Sequence, residues 1–305
     1  MKVIRGPRSA DARVLALGTF DGVHRGHRAL LVHAVQYARE NGVPLRVCTF
    51  DRHPMEVIRP GSQPELLSTI PERARRMHRL GVDEMELIPF TRKTAEMEPE
   101  AFLEQLRAAV RLRAVVAGWN YTFGKNGRGN AELLREDGAR YGYDVLIEPP
   151  ASLADGTVIS SSLVRLKLKE GDTSAAAELL GYHYTMSGTV VNGKHQGRSI
   201  GFPTANIEPW TKKVLPGYGV YACLLETGDE TMPALVNIGV QPTMPSGQVT
   251  VEAHALQGER ELYGRKVRLT LLEMLREEKR FDSPEELKKQ IERDREEAFR
   301  LFDMA

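Results

Sequence analysis

Leu15-Ala-Leu-Gly-Thr-Phe-Asp-Gly-Val-His-Arg-Gly-His27 is the stretch on which the reading of this 305-residue chain turns. A short apolar run, Val14 to Leu17, breaks at Gly18. The loop that follows carries Gly22 and Gly26, with His24 and His27 near its end. Leu30, Leu31, Ala34, Val35 and Ala38 then recur at helical spacing. A strand, a glycine-containing turn and a helix N-terminus make an anion site, because free backbone N–H groups and the helix dipole converge there. Three residues apart, His24 and His27 share one face of the first helical turn. Two imidazoles over a phosphate cradle suit nucleotide transfer, where charge builds on the phosphate under attack. The plainer alternative is a strand-to-helix turn whose histidines are ordinary polar caps; the flanking Gly-x-Phe-Asp-Gly argues against it.

Working outward, the first half alternates apolar runs with amphipathic segments. Strands are expected at 13–17, 45–50, 84–88, 114–118 and 144–148, and helices at 27–40, 71–80, 99–110, 130–141 and 161–169. That alternation predicts an α/β domain built on a doubly wound parallel sheet. Ligands of such sheets sit beyond the carboxyl ends of the strands. Phe50-Asp-Arg-His-Pro54 and Gly118-Trp-Asn-Tyr-Thr-Phe-Gly124 also follow strands and are expected at the same rim. Trp119, Tyr121 and Phe123 suit either ring stacking or core packing, and the arginines at 73, 75, 76 and 79 read as a solvated helix face.

Near residue 182 the pattern changes. Period-two segments at 186–192, 202–207, 219–226, 233–239, 248–256 and 266–273 predict an antiparallel barrel. Ser283-Pro284-Glu285-Glu286 has the form of a capping box with proline at the first helical position, and opens a terminal helix. Two domains follow, 1–182 and 183–305.

The second dense motif is Gly197-Arg-Ser-Ile-Gly-Phe-Pro-Thr-Ala-Asn206. Gly193, Gly197 and Gly201 permit a tight phosphate-binding loop. Thr204 and Asn206, two apart in an extended segment, face one way and offer hard oxygen ligands suited to Mg²⁺. In Val249-Thr-Val-Glu-Ala-His-Ala255 the valines and alanines take one face, leaving Thr250, Glu252 and His254 on the other. Glu252 there is placed to accept a proton from an attacking hydroxyl, whereas His254 reads as a solvated strand residue.

Composition narrows the field. The formal net charge is +1, from 42 basic and 41 acidic residues, so no nucleic-acid partner is indicated. The two cysteines, Cys48 and Cys223, are far apart and form no C-x-x-C. Neither a signal-peptide pattern nor a run of transmembrane length is present, so no membrane partner and a cytoplasmic location are expected. Protein partners are left open.

Taken in order, these motifs resemble the bifunctional riboflavin kinase / FAD synthetase family of bacteria. The resemblance runs through Gly18 to His27, Thr49-Phe50 with His53-Pro54, Gly118 to Gly124 and Ile159-Ser-Ser-Ser-Leu-Val-Arg165. It continues through Gly197 to Asn206, Gly219-Val-Tyr-Ala222, Asn237-Ile-Gly239 with Pro242-Thr243, Val251-Glu252 and Tyr263-Gly264. It implies a nucleotidyltransferase-like first domain that makes FAD from FMN and ATP, and a β-barrel domain that phosphorylates riboflavin with ATP. By the same resemblance Gly18, Thr19, Phe20, His24, His27, Asn120, Ser160, Ser161 and Arg165 would serve the nucleotide in the first domain. Thr204 and Asn206 would hold Mg²⁺ in the second, with Glu252 the catalytic carboxylate. Arg52, Ser162-Leu163 and Gln257-Gly258 depart from the family pattern. The last pair bears on the flavin-side loop, and the segment Arg276 to Arg280 would lie near the flavin, with Phe281 packed and Arg276 or Arg280 reaching it. The alternatives are a riboflavin kinase with a degenerate first domain and a non-enzymatic flavin sensor. The intact residues of the first domain argue against the former, and Glu252 against the latter.

Overall fold

The computed structural model describes residues 1–4, 9–192, 202–210, 212–228, 230–240, 249–257 and 262–303. Gly193, Gly197, Gly201, the pair Pro242-Thr243 and Gly258 therefore lie outside the described residues. Contacts divide the chain into two units, Met1–Ser161 and Ser162–Ala305.

The first unit is a six-stranded sheet made of β1 (Lys2–Ile4), β2 (Ser9–Leu17), β3 (Leu45–Phe50), β4 (Glu84–Ile88), β5 (Val110–Gly118) and β6 (Asp144–Glu148). Every pairing is parallel, in the order β1-β4-β3-β2-β5-β6. Side chains alternate across the central strand. Val14 and Ala16 join a core with Leu31, Val47 and Met85, while Leu15 and Leu17 join another with Phe102, Leu103 and Leu134. Both faces are thus buried, as parallel strands require. The covering helices are α1 (Arg25–Glu40), α3 (Ile70–Arg79), α5 (Pro99–Ala109) and α6 (Ala131–Tyr141), with short α2 (Pro54–Ile58) and α4 (Arg92–Ala95) at the rim. From β2 the chain steps to β3 on one side, and β5 later docks on the other. This order reversal opens a crevice beyond the carboxyl ends of β2 and β5.

The second unit begins with α7 (residue 162 onward of Ser161–Lys169) and α8 (Thr173–Leu180). A closed antiparallel barrel follows, in the order β10-β11-β8-β7-β12-β9. Its strands are β7 (Thr185–Val191), β8 (Ala205–Pro209), β9 (Gly219–Thr227), β10 (Glu230–Val240), β11 (Val249–Ala255) and β12 (Lys266–Glu277). Closure leaves no unpaired sheet edge. The terminal helix α9 (Pro284–Asp303) packs Ala298 against Val220, Ala222, Leu235 and Leu256. At its start the Ser283 hydroxyl accepts from the Glu286 N–H at 3.2 Å, but the Glu286 carboxylate accepts from Asp282, not from Ser283. The expected capping box is half formed. Buried Asp294 on α9 receives Arg276 of β12 at 3.0 Å, which commits that arginine to holding helix on barrel.

Candidate functional site

In the first unit the loop after β2 turns through two left-handed residues that carry side chains, Phe20 (φ 49°) and Val23 (φ 45°). Such conformations cost on the order of 1–3 kcal/mol each and persist only where the surroundings impose them. Asp21, 2% exposed, supplies the constraint. Its carboxylate accepts from the Leu67 N–H, the Ser68 N–H and the Ser68 hydroxyl, and the Ser68 hydroxyl accepts from the Gly22 N–H. The Ser161 hydroxyl donates to the Asp21 carbonyl at 2.9 Å, which brings the far end of the unit onto the loop.

His24 caps α1, its Nδ1 accepting from the His27 N–H at 3.3 Å, so its ring proton sits on Nε2. The two imidazoles stack 3.6 Å apart, and Phe20 meets His27 edge-on at 5.2 Å. Gly26 permits this arrangement, since a Cβ there would stand 3.2 Å from the His24 ring. Burial first, then the neighbouring His24 and the charge of Arg73, hold the His27 pKa well below its ordinary value. The His27 Nδ1 is buried without a hydrogen-bond partner among the described residues. His27 is therefore held as a neutral hydrogen-bond donor at a helix N-terminus, stacked on His24 beside the switch-point crevice. One consequence is measurable. Unfolded His27 takes a proton below about pH 6.5 while the folded residue refuses it, so the unfolded state binds more protons and stability falls as the solution is acidified. The thermal midpoint is expected to drop between pH 8 and 5.5, and to drop less in His27→Ala.

Of the other residues expected at this rim, Gly18 and Thr19 open the loop, Ser160 is half-buried and Asn120 is exposed at the end of β5. Arg165 lies on α7, in the second unit. Among the aromatics, Trp119 is 52% exposed, whereas Phe123 is core and stacks with Tyr121. Two corrections arise here. Arg73 is not part of a solvated face: it is 6% exposed and donates to the Thr19 carbonyl at 3.0 Å. A signal for this existed, because Arg73 lies three residues after Ile70 and four before buried Met77, on the apolar side of α3. Asp21 was also absent from the expected site, and its partners 46 and 47 residues away explain why.

In the second unit the barrel register assembles a row. Glu252 of β11 pairs directly with Asn206 of β8 on one side and with Asn237 of β10 on the other. Directly paired residues share a face, so a carboxylate lies between two carboxamides, with Val251 and Ala253 buried on the opposite face. Sequence spacing fixes the faces of Asn206 and Glu252 separately; only the register adds Asn237. Thr204 is half-buried just before β8. His254 is a further correction. It is half-buried, and its Nδ1 bonds the Pro203 carbonyl at 2.9 Å while its ring meets Phe202, which fixes the segment leading to Thr204. Burial is the main reason its pKa is lowered. Among the described residues no group of three or more His, Cys, Asp or Glu side chains is arranged to hold a metal.

Comparison with known proteins divides the chain the same way. The FAD synthetase family matches residues 7–163, and the riboflavin kinase family residues 180–302. The bifunctional riboflavin kinase/FMN adenylyltransferase of Escherichia coli (strain K12) is 36% identical, covering 99% of this chain and 98% of its own. That of Listeria monocytogenes is also 36% identical, over 95% and 92%. A crystal structure described as a macrolide-efflux protein from Streptococcus pneumoniae superposes with a TM-score of 0.89 at 30% identity, covering 97% and 98% of the two chains. None of the described helices of the present chain is long and apolar enough to cross a membrane.

Proposed function

The chain belongs to the bifunctional riboflavin kinase/FMN adenylyltransferase family, and we propose that its two clusters, the histidine loop and the Asn206–Glu252–Asn237 row, carry the two reactions. The enzyme transfers a phosphoryl group from ATP to riboflavin to give FMN. It then transfers an adenylyl group from a second ATP to FMN, giving FAD and pyrophosphate. We assign residues 1–182 to the adenylyltransferase and 183–305 to the kinase, and place the protein in the cytoplasm without nucleic-acid or membrane partners.

In the kinase half, the 5′-hydroxyl of riboflavin is a neutral, weak nucleophile. Glu252 takes its proton as the new P–O bond forms at the γ-phosphorus, and the bond to the β-phosphate oxygen breaks to release ADP. The single observation that carries this reading is the direct pairing of Glu252 with Asn206 and Asn237. Carboxamide and carboxylate oxygens in one row fit a hard cation such as Mg²⁺, which keeps several waters and is shared with substrate phosphates. Thr204 and Asn206 would hold the ion, which when bound offsets negative charge on the transferring phosphate.

In the adenylyltransferase half, a phosphate oxygen of FMN attacks the α-phosphorus of ATP and pyrophosphate leaves. That nucleophile is already anionic, so no base is needed; the obstacle is bringing two anions together. His24, His27 and the Gly18-Thr19-Phe20 backbone offer donors at the loop, and Ser160 and Ser161 complete the proposed set. One incubation of the purified protein with riboflavin, ATP and Mg²⁺, with flavins separated over time, tests the whole reading. FMN is expected first and FAD later. FMN without FAD would leave only the kinase, and unchanged riboflavin would overturn both assignments.

A further inference from the structure

A buried guanidinium lies beneath the histidine loop, and neither reaction as written above uses it. Arg73 Nη1 donates to the Thr19 carbonyl at 3.0 Å, and the Thr49 hydroxyl donates to the same oxygen at 3.0 Å. A carbonyl oxygen has two lone pairs, so these donors fill it. In a trans peptide the C=O and the following N–H point to opposite sides. Gripping the Thr19 oxygen from β3 and α3 therefore turns the Phe20 N–H away from both. No hydrogen bond to that N–H is found among the described residues. Phe20 itself is held in the left-handed region, a conformation the loop would relax without support.

The Arg73 Nε is buried without a hydrogen-bond partner among the described residues. The two carboxylates that act on its charge are otherwise engaged, Asp21 with residues 67 and 68 and Glu72 with the Thr69 N–H. A desolvated cation thus stays under a loop whose reaction brings two anions together.

We propose that Arg73 is a positioning residue for adenylyl transfer: with Thr49 it clamps the Thr19 carbonyl so that the Phe20 N–H is presented to a phosphate oxygen of ATP, above a permanent positive charge. This rests on reading the His24–His27 loop as the adenylyl-transfer site. Burial first, then His24 and the Arg73 charge, depress the His27 pKa, and the Arg73 part of that effect provides a further readout.

The test measures FAD formation from FMN, ATP and Mg²⁺ in wild type, Arg73→Met, Arg73→Lys and Thr49→Val, with FMN formation from riboflavin as the internal control. FAD formation is expected to fall by about 10- to 100-fold in Arg73→Met, which leaves a donor unaimed and a charge missing. Arg73→Lys is expected to recover part of that loss, and Thr49→Val to lose roughly tenfold. FMN formation should be unchanged in all three. NMR titration should show the His27 pKa rising in Arg73→Met and staying low in Arg73→Lys, which keeps the charge at the same place. If Arg73→Met fails to fold, Thr49→Val decides, since it removes the other half of the clamp at nearly constant volume. Wild-type FAD formation in Thr49→Val, or an unmoved His27 titration in a folded Arg73→Met, would overturn the proposal. A wild-type protein that makes FMN but no FAD would instead sink the reading on which it rests.

Discussion

Glu252→Gln is expected to lower FMN formation by about 10²- to 10⁴-fold, the range that loss of a positioned general base commonly produces, while FAD formation from supplied FMN stays at the wild-type rate. The substitution keeps the shape of the side chain between Asn206 and Asn237 and removes only its ability to take a proton. β11 remains paired on both sides, so the barrel should stay folded and far-UV circular dichroism unchanged. The loss should fall on kcat and not on the KM for riboflavin, because the carboxylate acts as the hydroxyl attacks. Steady-state kinetics with separated flavins decides the matter. A Gln variant that phosphorylates riboflavin at the normal rate removes Glu252 from the chemistry.

The second large effect is expected in the other half. His27→Ala should slow FAD formation by about 10²- to 10³-fold, the usual consequence of deleting one preorganised donor to a charged transition state. FMN should then accumulate from riboflavin at the wild-type rate. The stacked geometry makes the outcome specific. His27 is held by His24 on one side and Phe20 on the other, and its pKa is pushed down, so it works as a neutral donor. His24→Ala should cost at least as much in rate, since it removes both a donor and the acceptor for the His27 N–H. The measurement is the time course of FMN and FAD in each variant, and continued FAD accumulation would remove the histidines from the reaction.

Much of this architecture is legible in the chain because its parallel strands and amphipathic helices have strong, distinct periods. The strands at 45–50, 84–88 and 144–148 and the helix at 161–169 match the expected bounds. Elements too short to show a period escape: three-residue β1 pairs at the sheet edge, and α2 and α4 have five and four residues. The missed helix α8 is different, because Asp172 caps its start and Gly181 its end, both readable signals. At the sites, local chemistry is legible and long-range chemistry is not. The common face of Thr250, Glu252 and His254 follows from spacing, whereas His24 does cap α1, the role that the flanking Gly-x-Phe-Asp-Gly argued against. The addition of Asn237 needs a strand register, and the task of Asp21 needs residues 67 and 68. Arg73 was obscured by its neighbours, since a run of basic residues hides the one that points inward.

The bond from the Ser161 hydroxyl to the Asp21 carbonyl spans 140 positions of the chain. A polypeptide emerges from its N-terminal end first, so the histidine turn is synthesised early and waits for almost the whole of its unit before its last tether arrives. β2 likewise lacks its central partner β5 until residue 118 is made. The phosphate-handling turn is thus finished by a late, distant closure, the kind of contact that forms slowly for entropic reasons. A nascent or truncated chain ending before residue 161 carries both histidines and lacks the Ser161 tether that completes their frame, so adenylyl transfer by such a chain is expected to be impaired.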